Sequence, residues 1–262
     1  MLATDDNYQI KEIFKQFFIN LLDIFIIKLK IANDYDQWAE DDKERLRCYR
    51  IDIGDALVYM ISIVGDIMME YIVKKLVESI EKKLDWSIQE SLIYMLQSVV
   101  CELNETTNSE FSSVNDTYLV TFVNLLPHIN YCNKHILSTT LMAIGSMGVW
   151  LESNSQLLPN IISLCLLGLK TEAVTQSASF ALKDIINDCD LSKYADDVIS
   201  ACDGCLKSGS LVNNYEVRLM SIIGLALSDL LSIDVQRSLN WINSVVNPYI
   251  EKLSELAKLQ VS

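Results

Sequence analysis

The chain has 262 residues, half of them hydrophobic, with a mean hydropathy of +0.23 and a formal charge of −14. That apolar content supports a large core, while the surplus of acid excludes a surface that tracks nucleic-acid phosphates, a task for Lys and Arg. Only 8 Gly and 3 Pro are present, too few for many short strands and tight turns, so the expected class is all-α.

In chain order, the pattern predicts an opening helix over 6–31, apolar around much of its circumference through Phe14, Phe17, Phe18, Leu21, Leu22 and Phe25, and therefore buried. An acidic, polar loop over 32–42 follows, with Asp41 or Asp42 as candidate cap of the next helix. Five helix pairs are predicted after it: 42–64 with 66–83, 86–104 with 116–130, 133–152 with 155–169, 171–188 with 191–207, and 214–232 with 234–258. Within the second pair, the Asn-, Ser- and Thr-rich segment 104–116 reads as an exposed loop. Pro159 suits a first helical turn, and Asn247-Pro248 kinks or restarts the last helix.

These pairs repeat. Met60, Met95, Ile144, Leu182 and Ile223 fall in one column of a helical apolar frame, with spacings of 35, 49, 38 and 41 residues. One helical hairpin cannot bury its own apolar stripe, so a helical period near 40 describes a HEAT- or armadillo-type α-solenoid, a superhelix of stacked antiparallel pairs. No linker divides the chain, and the expectation is one continuous repeat segment over 1–262.

Seven Cys are scattered mostly among helix-core residues, as the free, buried thiols of a reduced compartment are, and no secretory signal opens the chain. Three uncharged runs between Thr117 and Leu169 are each 17 residues long, short of the ~20 a membrane helix needs, and they fit central helices covered by neighbouring repeats. His128, Cys132 and His135 have zinc-compatible spacing but lack a fourth ligand, so an ordinary inter-helix turn is the better reading. Cys202 and Cys205 form a CxxC outside any βαβ context and read as a packed thiol pair. No phosphate cradle or nucleophile motif is present, so neither an enzyme nor a bound cofactor is expected.

The segment DDKERLRCYRIDIGDALVYM at 41–60 resembles the middle repeats of the importin-β superfamily of nuclear transport receptors, in the branch that contains importin thirteen and transportin three. In the same order come Trp86 with Gln89 and Glu90, LLPHI at 125–129, IGSMGVWLES at 144–153, SASFALKDI at 177–185 and NPYIEKLSEL at 247–256. The resemblance implies a HEAT array that binds protein cargo, passes the nuclear pore through contacts with its proteins, exchanges cargo under control of the GTPase Ran, and moves between cytoplasm and nucleus. It also implies that the second helix of each pair faces cargo. Such receptors are several times longer, with their principal Ran surface in amino-terminal repeats, so this sequence reads as a central part.

Negative charge makes basic nuclear proteins the expected cargo, with neither nucleic acid nor membrane as a direct partner. Asp196, Asp197 and Asp203, then Glu70 and Glu78, are the candidate partner-binding residues. A constitutive HEAT scaffold that ignores Ran is the alternative.

Overall fold

The computed structural model describes residues 3–105, 112–208, 215–248, 250, 251 and 254, and every regular element among them is helical. The helices form an α-solenoid arrangement of paired, layered elements, and they gather into two compact units that meet in sequence between Met147 and Gly148.

The first unit contains α1 (Ala3–Lys28), α2 (Glu40–Val64), α3 (Asp66–Glu81), α4 (Trp86–Glu105), α5 (Ser112–Leu125) and α6 (Lys134–Gly145). Helix α4 packs against both α2 and α6, making one layer, and α3 packs on α5 in the other. The apolar stripes explain this order. Leu57, Met60 and Ile61 of α2, Leu92, Met95, Leu96 and Val99 of α4, and Met68, Met69, Ile72 and Leu76 of α3 are all buried where these helices pack on one another. Each such side chain contributes about 1.5–3 kcal/mol when fully removed from water. Gly65, at φ +60°, turns the chain from α2 into α3 in a conformation that a side chain would strain.

Two expectations are corrected in this unit. The opening helix is not buried all round: Leu22, Ile26 and Leu29 enter the core, but Phe17, Ile24 and Ile27 are exposed, because the described neighbours α2, α3 and α4 cover only one side of it. The cap of α2 is Ala39, which offers no side-chain bond, and Asp41 and Asp42 lie inside the first turn. A 3₁₀ turn over Tyr35–Gln37 brings the chain into the helix early, and the Trp38 indole donates to Asp34 Oδ1 at 3.0 Å. Acid in the first turn still favours the helix dipole. Of the predicted loop at 104–116, residues 106–111 lie outside the described residues; α4 runs through Glu105 and α5 starts at Ser112.

A buried ion pair knits this unit. Arg50 of α2 donates to both carboxylate oxygens of Glu90 of α4, at 3.0 and 2.6 Å, and to the Leu29 carbonyl at 2.9 Å. Its guanidinium lies 4.1 Å from the Tyr94 ring centroid, and Thr139 of α6 donates to Glu90 Oε1 at 2.6 Å. Four parts of the unit therefore share one satisfied polar cluster, and removing either charge would leave the other buried alone.

The second unit contains α7 (Gly148–Ser153), α8 (Leu158–Lys170), α9 (Thr175–Asp188), α10 (Ala195–Ser208), α11 (Tyr215–Leu231) and α12 (Val235–Trp241). Helix α9 lies between α7 and α11, and α10 packs on α8 and α11, repeating the two layers. Leu158 and Pro159 open α8, with proline in the first turn as expected. The helix predicted over 133–152 is broken at 146–147. Its second piece, α7, approaches α9 so closely that a Cβ on Gly148 would stand 2.3 Å from Asp188 Oδ2, and the Cys189 thiol donates to the Gly148 carbonyl at 3.5 Å. At the other end, a π turn over Ile242–Val246 precedes Pro248, which has no N–H to continue an α-helical ladder. The remainder of the predicted last helix lies largely outside the described residues.

Met60, Met95, Ile144, Leu182 and Ile223 are all buried, on α2, α4, α6, α9 and α11. The repeat column read from sequence is the core line of one layer in each unit. No single helix among the described residues is long and apolar enough to cross a membrane.

Replacing Glu90 by Ala should lower stability in urea denaturation by about 3–5 kcal/mol, the typical cost of orphaning a buried charge. Glu44→Gln, which breaks the exposed pair with Arg47, should leave the midpoint where it is.

Candidate partner-binding surface

Helix α10 opens with Ala195, after a 3₁₀ turn over Ser192–Tyr194, and its apolar residues Ala195, Val198, Ile199 and Cys202 are buried against the neighbouring helices. That burial turns the remaining faces outward and decides where each acid goes. Asp196 and Asp203, seven residues apart, share one stripe, and Asp197 projects from another.

The three acids have different surroundings. Asp196 accepts from the Trp241 indole at 2.6 Å and is ion-paired with Arg237 of α12, which holds its carboxyl below the usual carboxylate range. Asp203 accepts from Lys207 Nζ at 2.5 Å, and its Oδ1 is buried with no hydrogen-bond partner among the described residues. Asp197 is exposed and forms no ion pair among the described residues. It borders a groove of about 460 Å³ between α8 and α10, with Lys170, Glu172, Thr175, Ser200 and Ser208 supplying polar walls and Leu166, Leu169, Ala201 and Gly204 an apolar floor. Gly204 leaves open space there, since a Cβ at that position would touch nothing.

Glu70 and Glu78 lie on α3 of the first unit. Each is paired one turn on, Glu70 with Lys74 and Glu78 with Lys82 at 3.0 Å. The Glu78 carboxyl is held low by that lysine, and Lys74 is raised by Glu70. The structure thus brings Asp196, Asp197 and Asp203 onto one helix, keeps Glu70 and Glu78 together on another, and leaves Asp197 the least committed of the five.

The CxxC splits between core and groove. Cys202 is buried, its thiol pushed up to about 12 by desolvation, while the Cys205 thiol faces the groove and donates to the Leu169 carbonyl at 3.2 Å. Both are free thiols. His135 is occupied elsewhere, stacked on Trp86 at 6.1 Å, edge-on to Tyr35 at 5.3 Å, and 3.0 Å from Asp36 Oδ1. No group of three or more His, Cys, Asp or Glu side chains among the described residues is placed to hold a metal ion.

Sequence reasoning missed Trp241 and Arg237 as partners of Asp196, and missed the groove floor entirely. One signal pointed to the former: Asp196 lies 41 residues before Arg237 and 45 before Trp241, about one repeat period.

Layered helix pairs with charged outer faces define the class as helical-repeat proteins. A family model described as "Importin 13 repeat" matches residues 32–66. Along nearly its whole length the chain is similar to importin-13: it is 27% identical over 251 residues to that of Gallus gallus, 94% of this chain, and 27% identical over 252 residues to that of Homo sapiens, 95% of this chain. The Mus musculus protein gives the same identity and cover. The chain spans about a quarter (25%) of the length of these relatives.

Because Arg237 lowers the Asp196 carboxyl, the pair stabilises the fold above the unfolded-state value and is lost as pH falls through the lower, folded-state value. Carboxyl NMR titration should find Asp196 below the ordinary aspartate value and returning towards it in Arg237→Gln; identical titration curves in the two proteins would show that the pair is not formed.

Proposed function

We propose that this chain is the cargo-binding stretch of a nuclear transport receptor, and that it engages basic protein cargo through carboxylates on its second-layer helices. The observation that carries the reading is the similarity to importin-13 over 95% of the chain, joined to a helical-repeat fold with extended charged surfaces. In this reading the whole receptor passes the nuclear pore, shuttles between cytoplasm and nucleus, and discharges cargo under control of Ran.

Within the second unit, Asp197 is the leading contact. It is exposed, unpaired among the described residues, and borders a groove whose apolar floor can take the stem of a Lys or Arg side chain while the carboxylate takes its head. Asp196 and Asp203 lie on a different stripe of α10. Their charge contributes to the field, but an incoming cation must displace Arg237 or Lys207 to reach them. Glu70 and Glu78 play the same secondary part on α3. Exposed charges of this kind steer association and set its salt dependence more than they add affinity.

The purified chain used as bait in a nuclear extract should retain basic proteins at low salt and release them as salt is raised. Asp197→Lys should weaken the retained complexes by roughly tenfold, the effect of about 1.4 kcal/mol. Reversal of Asp196, Asp197, Asp203, Glu70 and Glu78 together should abolish recovery. The same partners held with the same affinity by the five-fold variant would sink the assignment, and partners that also resist high salt would favour a constitutive scaffold.

A further inference from the structure

The chain has five arginines. Arg45, Arg47, Arg50 and Arg237 are each ion-paired with a carboxylate, and Arg218 is paired with none among the described residues. In a chain of charge −14, an arginine left without an acid is the exception that needs an explanation.

Arg218 lies on α11 and faces α9. Its guanidinium sits 3.4 Å from the Phe180 ring centroid, and its Nη1 donates to Ser179 Oγ at 3.0 Å. One turn further along the same pair of helices, Lys183 Nζ donates to Ser221 Oγ at 2.5 Å. Both cations are therefore held in place by hydroxyls and a ring, which orient them without cancelling their charge. A guanidinium carries five N–H donors and an ammonium three, and among the described residues each spends only one on a protein acceptor. Together with Phe180, Val217 and Ser221 they line a shallow groove of about 610 Å³ between α9 and α11. Val217 is 72% exposed on its rim.

Asp184 is the one carboxylate in the lining, and it forms no ion pair with either cation. Partial desolvation and then Asp188 raise its carboxyl above the usual range, while the charges of Arg218 and Lys183 act on it in the opposite sense, so one carboxylate offsets part of the charge of two cations without pairing with either. Charge in the groove is thus locally positive beside an apolar strip. At physiological salt, charges beyond about 8 Å are largely screened, so an approaching group responds to these two cations more than to the net charge of the chain.

We infer that the α9–α11 groove is a docking site for an acidic, apolar segment of a partner protein, with a carboxylate bridging Arg218 and Lys183 and a neighbouring aliphatic or aromatic side chain lying on Phe180 and Val217. Charge complementarity selects the occupant: a basic segment would meet two fixed cations, and a purely apolar one would bury them unpaired. The planar guanidinium, already oriented on the ring, matches a carboxylate in the bidentate manner that lysine cannot. This site differs in sign and position from the α10 carboxylates, so the two can be tested apart.

The experiment uses the full chain and a fluorescein-labelled peptide of alternating glutamate and leucine, read by anisotropy at increasing salt. The acidic peptide should bind, its lysine counterpart should not compete, and the double variant Arg218→Gln, Lys183→Gln should weaken binding at least tenfold while Asp197→Lys leaves it unchanged. Amide shifts in the unsubstituted chain should cluster on α9 and α11, which keeps the test valid if the double variant folds poorly. Unchanged affinity in a folded double variant, equal binding of the lysine peptide, shifts confined to other helices, or displacement of the peptide by equimolar inorganic phosphate would each overturn the proposal.

Discussion

A helix pair with one apolar stripe per helix cannot cover itself, and every other feature of this chain follows from that constraint. Within its unit, α4 lies between α2 and α6 and packs on α3, and α9 lies between α7 and α11 and packs on α8. The inner sides of these helices are spent on Leu, Ile and Met, which leaves chemistry-bearing side chains on the outer faces and in the shallow grooves between neighbours. A fold of this kind offers long surfaces and shallow grooves between neighbouring helices.

The polar contacts obey the same period as the core. Arg50 and Glu90 are 40 residues apart, Thr139 and Glu90 49, Lys183 and Ser221 38, and Arg218 and Ser179 39. Cys189 reaches Gly148 across 41, and Asp229 accepts the Leu191 amide across 38. Each of these bonds ties a residue to its counterpart one repeat away, so they fix the register of the stack while dispersion and desolvation supply most of its stability. The buried Arg50–Glu90 pair is the extreme case. It is satisfied from four sides, and its contribution is to specify which helices meet rather than to exceed what an apolar pair would give.

Much of this was legible in the sequence, and the reason is periodicity. The column from Met60 to Ile223 located a buried line because a helical stripe that must be covered leaves a spacing that can be counted. Helix breaks were less legible. Nothing local distinguishes Ser146 and Met147 from a helical turn; the break becomes intelligible only when Gly148 is seen against Asp188, 40 residues on. The cap of α2 was misplaced because Asp41 and Asp42 are good cap residues, and the Trp38–Asp34 contact that starts the helix early is not a propensity effect. At the surface, sequence could give the sign of the charge but not its pairing: Asp196, Asp203, Glu70 and Glu78 turned out to be partnered, and Arg218 conspicuous for lacking an acid.

If cover by neighbours is what stabilises each helix, backbone protection should follow position in the layer rather than intrinsic helix propensity. Native-state amide hydrogen exchange across the described helices tests this directly. Amides of α4 and α9, covered on both sides, should exchange most slowly in their respective units, and those of α1 and α12 fastest. Equal protection of α1 and α4, or α9 exchanging as fast as α12, would show that the helices hold themselves and would contradict the account.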